Sequence, residues 1–376
     1  MTAGKLTTLE NRAIAHGLNV SDGHPRMPLT RGQRAIVAEL GDLFDEAAKR
    51  PFHEIEQEAQ RAFLHGLGQH GAPVGGERLL SCYSSSVAMD IVARTLAERT
   101  GSVALIHPTF DNIPDLLLAR GLDLVPVAER RFEEGLADLP PEVGAVFVTT
   151  PNNPTGWVLG SGPLERLASW CAETGRILAM DTCFRGQDVR AQYDTYRILD
   201  DSGAEWVVIE DTGKLWPMLE LKAGFLAWGE RTELEIAEAF DDVLLSVSPL
   251  VLLLITRLAR DASDGGYAEL ARLLEGNRRA LGEITGPAGL VMKEPDSRIS
   301  VAQLELPESC GTATEFYIRL LEHNVHVLPC EAFHWARNSD GGRDVRVALA
   351  RAPEEVRAAA TALAEVSART RADERR

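Results

Sequence analysis

Short runs of consecutive apolar residues, rich in β-branched side chains, alternate through the middle of the chain with segments whose apolar positions recur at helical spacing. The runs fall at 78–83, 103–107, 145–149, 177–181, 206–211 and 223–228, with helical patterns such as 87–97 and 164–173 between them. This alternation predicts βαβ units and a mainly parallel sheet with helices on both faces. Past Pro249 a long helical pattern runs through LLLITRLARDA and on to LARLLEGNRRAL. Strand-like runs follow at 299–306, 325–329 and 345–349, then a final helix from Pro353. The expected organisation is a large α/β domain over 31–275 and a smaller α+β domain over 276–376. Residues 1–30 stand apart. A helical pattern from Leu9 to Leu18 leads into the turn-rich SDGHPRMP, an arm that is either a docked helix or a mobile flap, a lid over the site.

Composition narrows the class. The 376 residues are 45% hydrophobic and 25% charged, and acidic residues exceed basic ones, 56 to 39, for a net charge of −17. Such a surface repels a phosphate backbone or an anionic bilayer, which argues against nucleic acid and membranes as partners. The apolar stretch 244–255 is broken by two serines and Pro249 and is too short to span a bilayer. The polar start MTAGKLTTLENRAIAHG has no apolar core of a signal peptide, and the five cysteines form no C-x-x-C pair. A cytoplasmic protein with free thiols is expected.

Ligands of an open parallel sheet gather beyond the carboxyl ends of its strands. Four such ends carry unusual polar groups: Ser84-Ser85-Ser86, PNNPTG (151–156), Asp181 and DTGK (211–214). In content and order these motifs resemble the fold-type I pyridoxal 5′-phosphate (PLP) enzymes typified by aminotransferases, from about residue 70 to the C-terminal VRVALA. The resemblance implies that Lys214 is the Schiff-base lysine, that Asp181 pairs with the pyridinium nitrogen and that Asn153 donates to the ring oxygen. It also implies that Ser84, Ser85 and Ser86 open a helix onto the phosphate, that Lys222 is a phosphate-binding cation and that Phe110 stacks on the ring. Arg346 would grip the substrate α-carboxylate bidentately.

Three positions depart from the aminotransferase pattern. Phe184 stands where a tyrosine usually reaches the ring oxygen, and Cys183 lies beneath the ring where a small residue is usual. Asp211 takes the place of a small polar phosphate ligand. Since a carboxylate repels a phosphate dianion, Asp211 is expected to point elsewhere, at a cationic substrate. With the arm, these departures are similar to a narrower group, the PLP- and O2-dependent L-arginine oxidases and hydroxylases of the enduracididine type. The segments NVSDGHPRMPLT, HPTFDNI, MDTCFRG and IEDTGKLWPMLELKAG carry that likeness. It implies oxidation of free L-arginine by O2 without metal or flavin, to 4-hydroxy-2-ketoarginine, 2-ketoarginine or a didehydroarginine, in natural-product biosynthesis. It further implies that the arm folds over the substrate, that His24 orients or deprotonates a water, and that the enzyme is a homodimer. A guanidinium needs planar acidic partners; Glu10, Asp211 and Asp22 are the candidates, with Thr7 as a helper by resemblance. The rival expectations are an amino-acid aminotransferase with a keto-acid acceptor and, ranked lower, a non-catalytic PLP-binding module.

Overall fold

A computed structural model describes residues 5–14, 17–218 and 220–374. Its central sheet has seven strands in the order Leu79–Cys82, Gly224–Trp228, Trp206–Asp211, Ile177–Asp181, Ala145–Thr149, Ser102–His107 and Asp123–Ala128. Gly224–Trp228 runs antiparallel to both neighbours, and the remaining pairs are parallel. Every residue of Ala145–Thr149, Ile177–Asp181 and Trp206–Asp211 is buried, because helices cover both faces. The predicted strands are therefore present within a residue or two of their expected bounds. The edge strand Asp123–Ala128 was not among them; most of its positions are at least partly exposed, so its apolar signal is weak.

A second sheet of four strands contains Val301–Glu305 against Asp344–Ala348, with Leu328–Pro329 and Val291–Met292 flanking. The predicted run 325–329 divides: Val325–His326 leaves this sheet to pair in parallel with Leu18–Asn19 of the arm. The long pattern after Pro249 is two helices, Pro249–Asp261 and Tyr267–Thr285, joined by a π turn at Ala262–Gly266.

The arm begins with the helix Leu6–Ile14, which starts three residues before the pattern expected over 9–18, and Leu18 belongs to a strand; residues 1–4 and 15–16 lie outside the described residues. Leu6, Leu9 and Ala13 are buried. The arm is bound to the smaller sheet by backbone hydrogen bonds, Val20 N to His326 O at 3.0 Å and Ala348 N to Val20 O at 2.7 Å. No helix among the described residues is long and apolar enough to cross a membrane.

Candidate active site

The carboxyl ends of the central strands, the arm and the smaller sheet enclose a cavity of about 980 Å³. Every predicted site residue lines it: Thr7, Glu10, Asp22 and His24 from the arm; Ser84, Ser85, Ser86, Phe110, Asn153, Asp181, Cys183, Asp211, Lys214, Lys222 and Arg346 from the body.

Local chain chemistry places each group. Ser84 caps the helix Ser85–Arg99, its side chain accepting from Val87 N. This helix end lies hard against the neighbouring strand: a Cβ at Gly224 would lie 2.7 Å from the Ser84 carbonyl carbon and 2.9 Å from Ser85 N. Asn112 Nδ2 donates to Ser86 Oγ at 3.4 Å. The turn carrying Lys214 is stitched to the next strand by Thr212, whose Oγ1 and N each meet Ala223 O at 3.0 Å. Gln187, which the motifs did not flag, donates to Lys214 O and accepts from Ser300 N at 2.6 Å, tying the lysine turn to the smaller sheet. Lys214 Nζ stands 5.9 Å from the centre of the Phe184 ring.

Asp181 is buried, accepts from Cys183 N at 3.0 Å and forms no ion pair among the described residues. Burial pushes its carboxyl above the usual range, with Asp211 adding to the effect and Lys214 opposing it. Cys183 beneath it is a buried free thiol, driven well above the usual value first by burial and then by Asp181. Phe110 packs edge-on to Phe333, their centroids 5.9 Å apart. Arg346, fully buried in the strand Asp344–Ala348, donates from Nη1 to Asn153 Oδ1 at 3.1 Å and from Nη2 to Glu10 Oε1 at 2.9 Å and to Ser21 O. Its Nε is buried without a hydrogen-bond partner.

Several of these residues already hold partners within the protein. Asp211 Oδ2 accepts Ser85 N at 3.0 Å and Ser85 Oγ at 2.7 Å, at the mouth of the helix. Burial raises this carboxyl, but Lys214, Lys222 and the Ser85 donors outweigh burial and hold it low, so a carboxylate is tolerated there. Asp22 is 1% exposed and is committed to the arm itself, accepting from Asn19 Nδ2 at 2.8 Å, Arg26 Nε at 2.9 Å and His24 N at 2.9 Å. Lys222 Nζ is held at 2.6 Å by Glu220 and at 3.0 Å by His24 Nε2. Glu220, another residue missed by motif, sits at φ 67°, a strained position for a side chain that is not glycine. Glu10 does meet a guanidinium, but that of Arg346. Thr7 lies exposed at the rim, and the His24 imidazole is held below its usual pKa first by the Lys214 charge and then by burial.

One contact makes arm docking sensitive to pH. In the first turn of Leu6–Ile14, Leu6 N donates to Asp111 Oδ2 of the body at 2.8 Å. Burial, helped by Asp115 and Glu10, pushes Asp111 up to about 6 in spite of the Leu6 N–H. An arm that undocks returns this carboxyl to water and the ordinary range near about 3.9. The docked state therefore binds the Asp111 proton more tightly, and docking is favoured at low pH and weakened as pH rises between those values. Asp111→Asn is expected to flatten this limb of the pH dependence of arginine affinity, measured from about pH 4 to about pH 7, the span that brackets the undocked and docked values. An unchanged profile would show that Asp111 plays no part.

Residues 46–363 match the model described as aminotransferase class I and II, and the chain belongs to that family of PLP-dependent enzymes. Among solved structures, it is similar to one of MppP soaked with the product 2-ketoarginine, with 48% identity and a TM-score of 0.91 over 93% of this chain and 99% of that one. It is 24% identical to valine–pyruvate aminotransferase of Mycobacterium tuberculosis over 170 residues, 42% of each chain. It is 28% identical to L-aspartate:5-guanidino-3-methyl-2-oxopentanoate transaminase of Pseudomonas syringae pv. syringae over 122 residues, 31% of this chain and 32% of that one. The chain thus spans less than half the length of these two curated relatives.

The donor set fits the cofactor of the family. One amine, a buried carboxylate without a cation, an amide, a helix N-terminus with hydroxyls, a lysine and a stacking ring all face one cavity. Among the described residues no group of three metal-ligating side chains occurs.

Proposed function

We propose that the protein oxidises free L-arginine with O2 in a PLP-dependent reaction, giving 2-ketoarginine and 4-hydroxy-2-ketoarginine, and that it works as a homodimer. The observation that carries this reading is the 48% identity, over nearly the whole chain, to MppP, whose product is 2-ketoarginine. The cavity supports it by offering a paired cation and anion, Arg346 for an α-carboxylate and Glu10, once displaced from it, for a cationic side chain.

When bound, PLP supplies an electron sink for charge developing at the substrate Cα. Lys214 would hold its aldehyde carbon and, once released, its Nζ would take the Cα proton. Asp181 would keep the ring nitrogen protonated, a role suited to a buried carboxylate that lacks a cation of its own. Asn153 would donate to the ring oxygen and Phe110 would cover one face. Ser84, Ser85, Ser86 and Lys222 would face the phosphate, where Asp211 already shares the Ser85 donors. Cys183 would lie against the ring as a neutral thiol.

Oxidation of the amine to the ketone consumes O2 and water and releases ammonia and peroxide. A further two-electron oxidation with O2, plus addition of water at Cγ, adds the hydroxyl and releases a second peroxide. Both require that the Cα charge is not quenched by bulk solvent. The docked arm, with Leu6, Leu9 and Ala13 buried, would exclude that water. His24, kept neutral by its low pKa, would hold the proton of the water that adds.

A second reading, transamination, is favoured by the guanidino transaminase among the relatives. Mass analysis of the products from L-arginine in air, with no keto acid added, separates the two. The proposal expects 2-ketoarginine and a species heavier by one oxygen. Arginine left unconverted until a keto acid is supplied would establish transamination instead.

A further inference from the structure

We infer that Arg351 is the positioning residue for His24: it fixes the arm's turn 19–24 by its backbone carbonyls and so sets where the imidazole stands. Arg351 follows the strand that carries Arg346, is 1% exposed and does not line the cavity. Its Nε donates to Asn19 O at 2.8 Å and its Nη2 to Asp22 O at 2.8 Å. Its Nη1 donates to His24 O at 2.7 Å and to Ala350 O at 3.0 Å. The buried positive charge is balanced by Asp22 Oδ2 at 3.4 Å, itself 1–2% exposed.

Asp22 passes the constraint on. It accepts the His24 backbone N–H at 2.9 Å, and its Oδ1 lies 3.6 Å from His24 Nδ1, too far for a good hydrogen bond but close enough to orient the ring. The opposite nitrogen, Nε2, then faces Lys222 in the cavity. Arg351 is not needed merely to attach the arm, which backbone pairs with Val325, His326 and Ala348 already hold. What only a planar guanidinium can do here is grip three arm carbonyls at once; a lysine is a point charge on a flexible stem.

The inference rests on the reading that His24 serves the oxidised substrate. Cofactor-loaded Arg351→Gln, His24→Asn and the double variant are compared with L-arginine in air. Arg351→Gln is expected to keep the absorbance of the lysine-bound cofactor and an arginine Kd within about threefold of wild type. The ratio of 4-hydroxy-2-ketoarginine to 2-ketoarginine should fall on the order of tenfold. The double variant should fall no further than His24→Asn alone, because both changes remove the same group. An unchanged ratio in Arg351→Gln, or losses that add in the double variant, would overturn the inference. Should Arg351→Gln fail to fold, Arg351→Lys, which keeps the charge but not the fork, is read the same way. If the wild-type protein forms no oxygenated product, the functional reading fails separately, and placement is read from carbethoxylation of His24 by diethyl pyrocarbonate, mapped by mass spectrometry. The rate at His24 is expected to rise by about fivefold in Arg351→Gln, with His107 unchanged; equal rates at His24 would overturn the inference.

Discussion

Lys214→Ala is expected to abolish turnover of L-arginine, by at least about a thousandfold, in a protein that remains folded. The side chain is partly exposed and forms no ion pair among the described residues, so its loss breaks no packing or buried bridge. Its charge, however, sets the electrostatics of the cavity. It is the leading cause of the depressed His24 pKa and the first of the cations that hold Asp211 ionised. In the cofactor-free Lys214→Ala protein the His24 titration, followed by NMR, should therefore move up toward the usual imidazole value. The loaded variant should lack the absorbance of a lysine-bound cofactor. Retention of arginine turnover by the variant would remove Lys214 from the chemistry.

Glu10→Gln should change which amino acids bind. The Glu10 carboxylate sits on Arg346, the place a substrate carboxylate needs. A ligand that takes Arg346 must displace Glu10 and leave a largely buried carboxylate without its cation, a loss on the order of 3–5 kcal/mol for a buried pair. An amino acid with its own cationic side chain can recapture Glu10; a neutral one cannot. The ion pair thus selects against neutral substrates as well as for arginine. With glutamine at this position, arginine should bind roughly tenfold to a hundredfold more weakly, the worth of one charge-assisted hydrogen bond. Norleucine, which has no charge to offer, should bind more tightly than it does to wild type. Dissociation constants for both, read from the visible spectrum of the loaded enzyme, check this. Equal weakening of both ligands would contradict the exchange.

The parts legible in the sequence are those in which burial is strongest. Strands buried on both faces announce themselves as unbroken apolar runs, which is why Ala145–Thr149 and Ile177–Asp181 were bounded correctly while the half-exposed Asp123–Ala128 left no mark. The strand-end motifs likewise located the cavity, since topology delivers those ends to one place. What sequence could not show is which partner each charged group takes. Asp22 and Asp211 are both acidic and both line the cavity, yet one is held by Arg26, Arg351 and the arm's own backbone, and the other by the start of a helix. Arg351 and Asp111 act on the arm from more than 300 and 100 residues away in sequence, and no local pattern marks such contacts. Glu220 is betrayed only by its backbone angle.

The central claim is that O2, rather than a keto acid, accepts the electrons taken from arginine. Its most direct test is an oxygen electrode reading on the loaded enzyme after addition of L-arginine alone. The account predicts sustained oxygen uptake, with ammonia released for each keto product and peroxide accumulating. Absence of oxygen uptake, with amino transfer starting only when a keto acid is added, would contradict it.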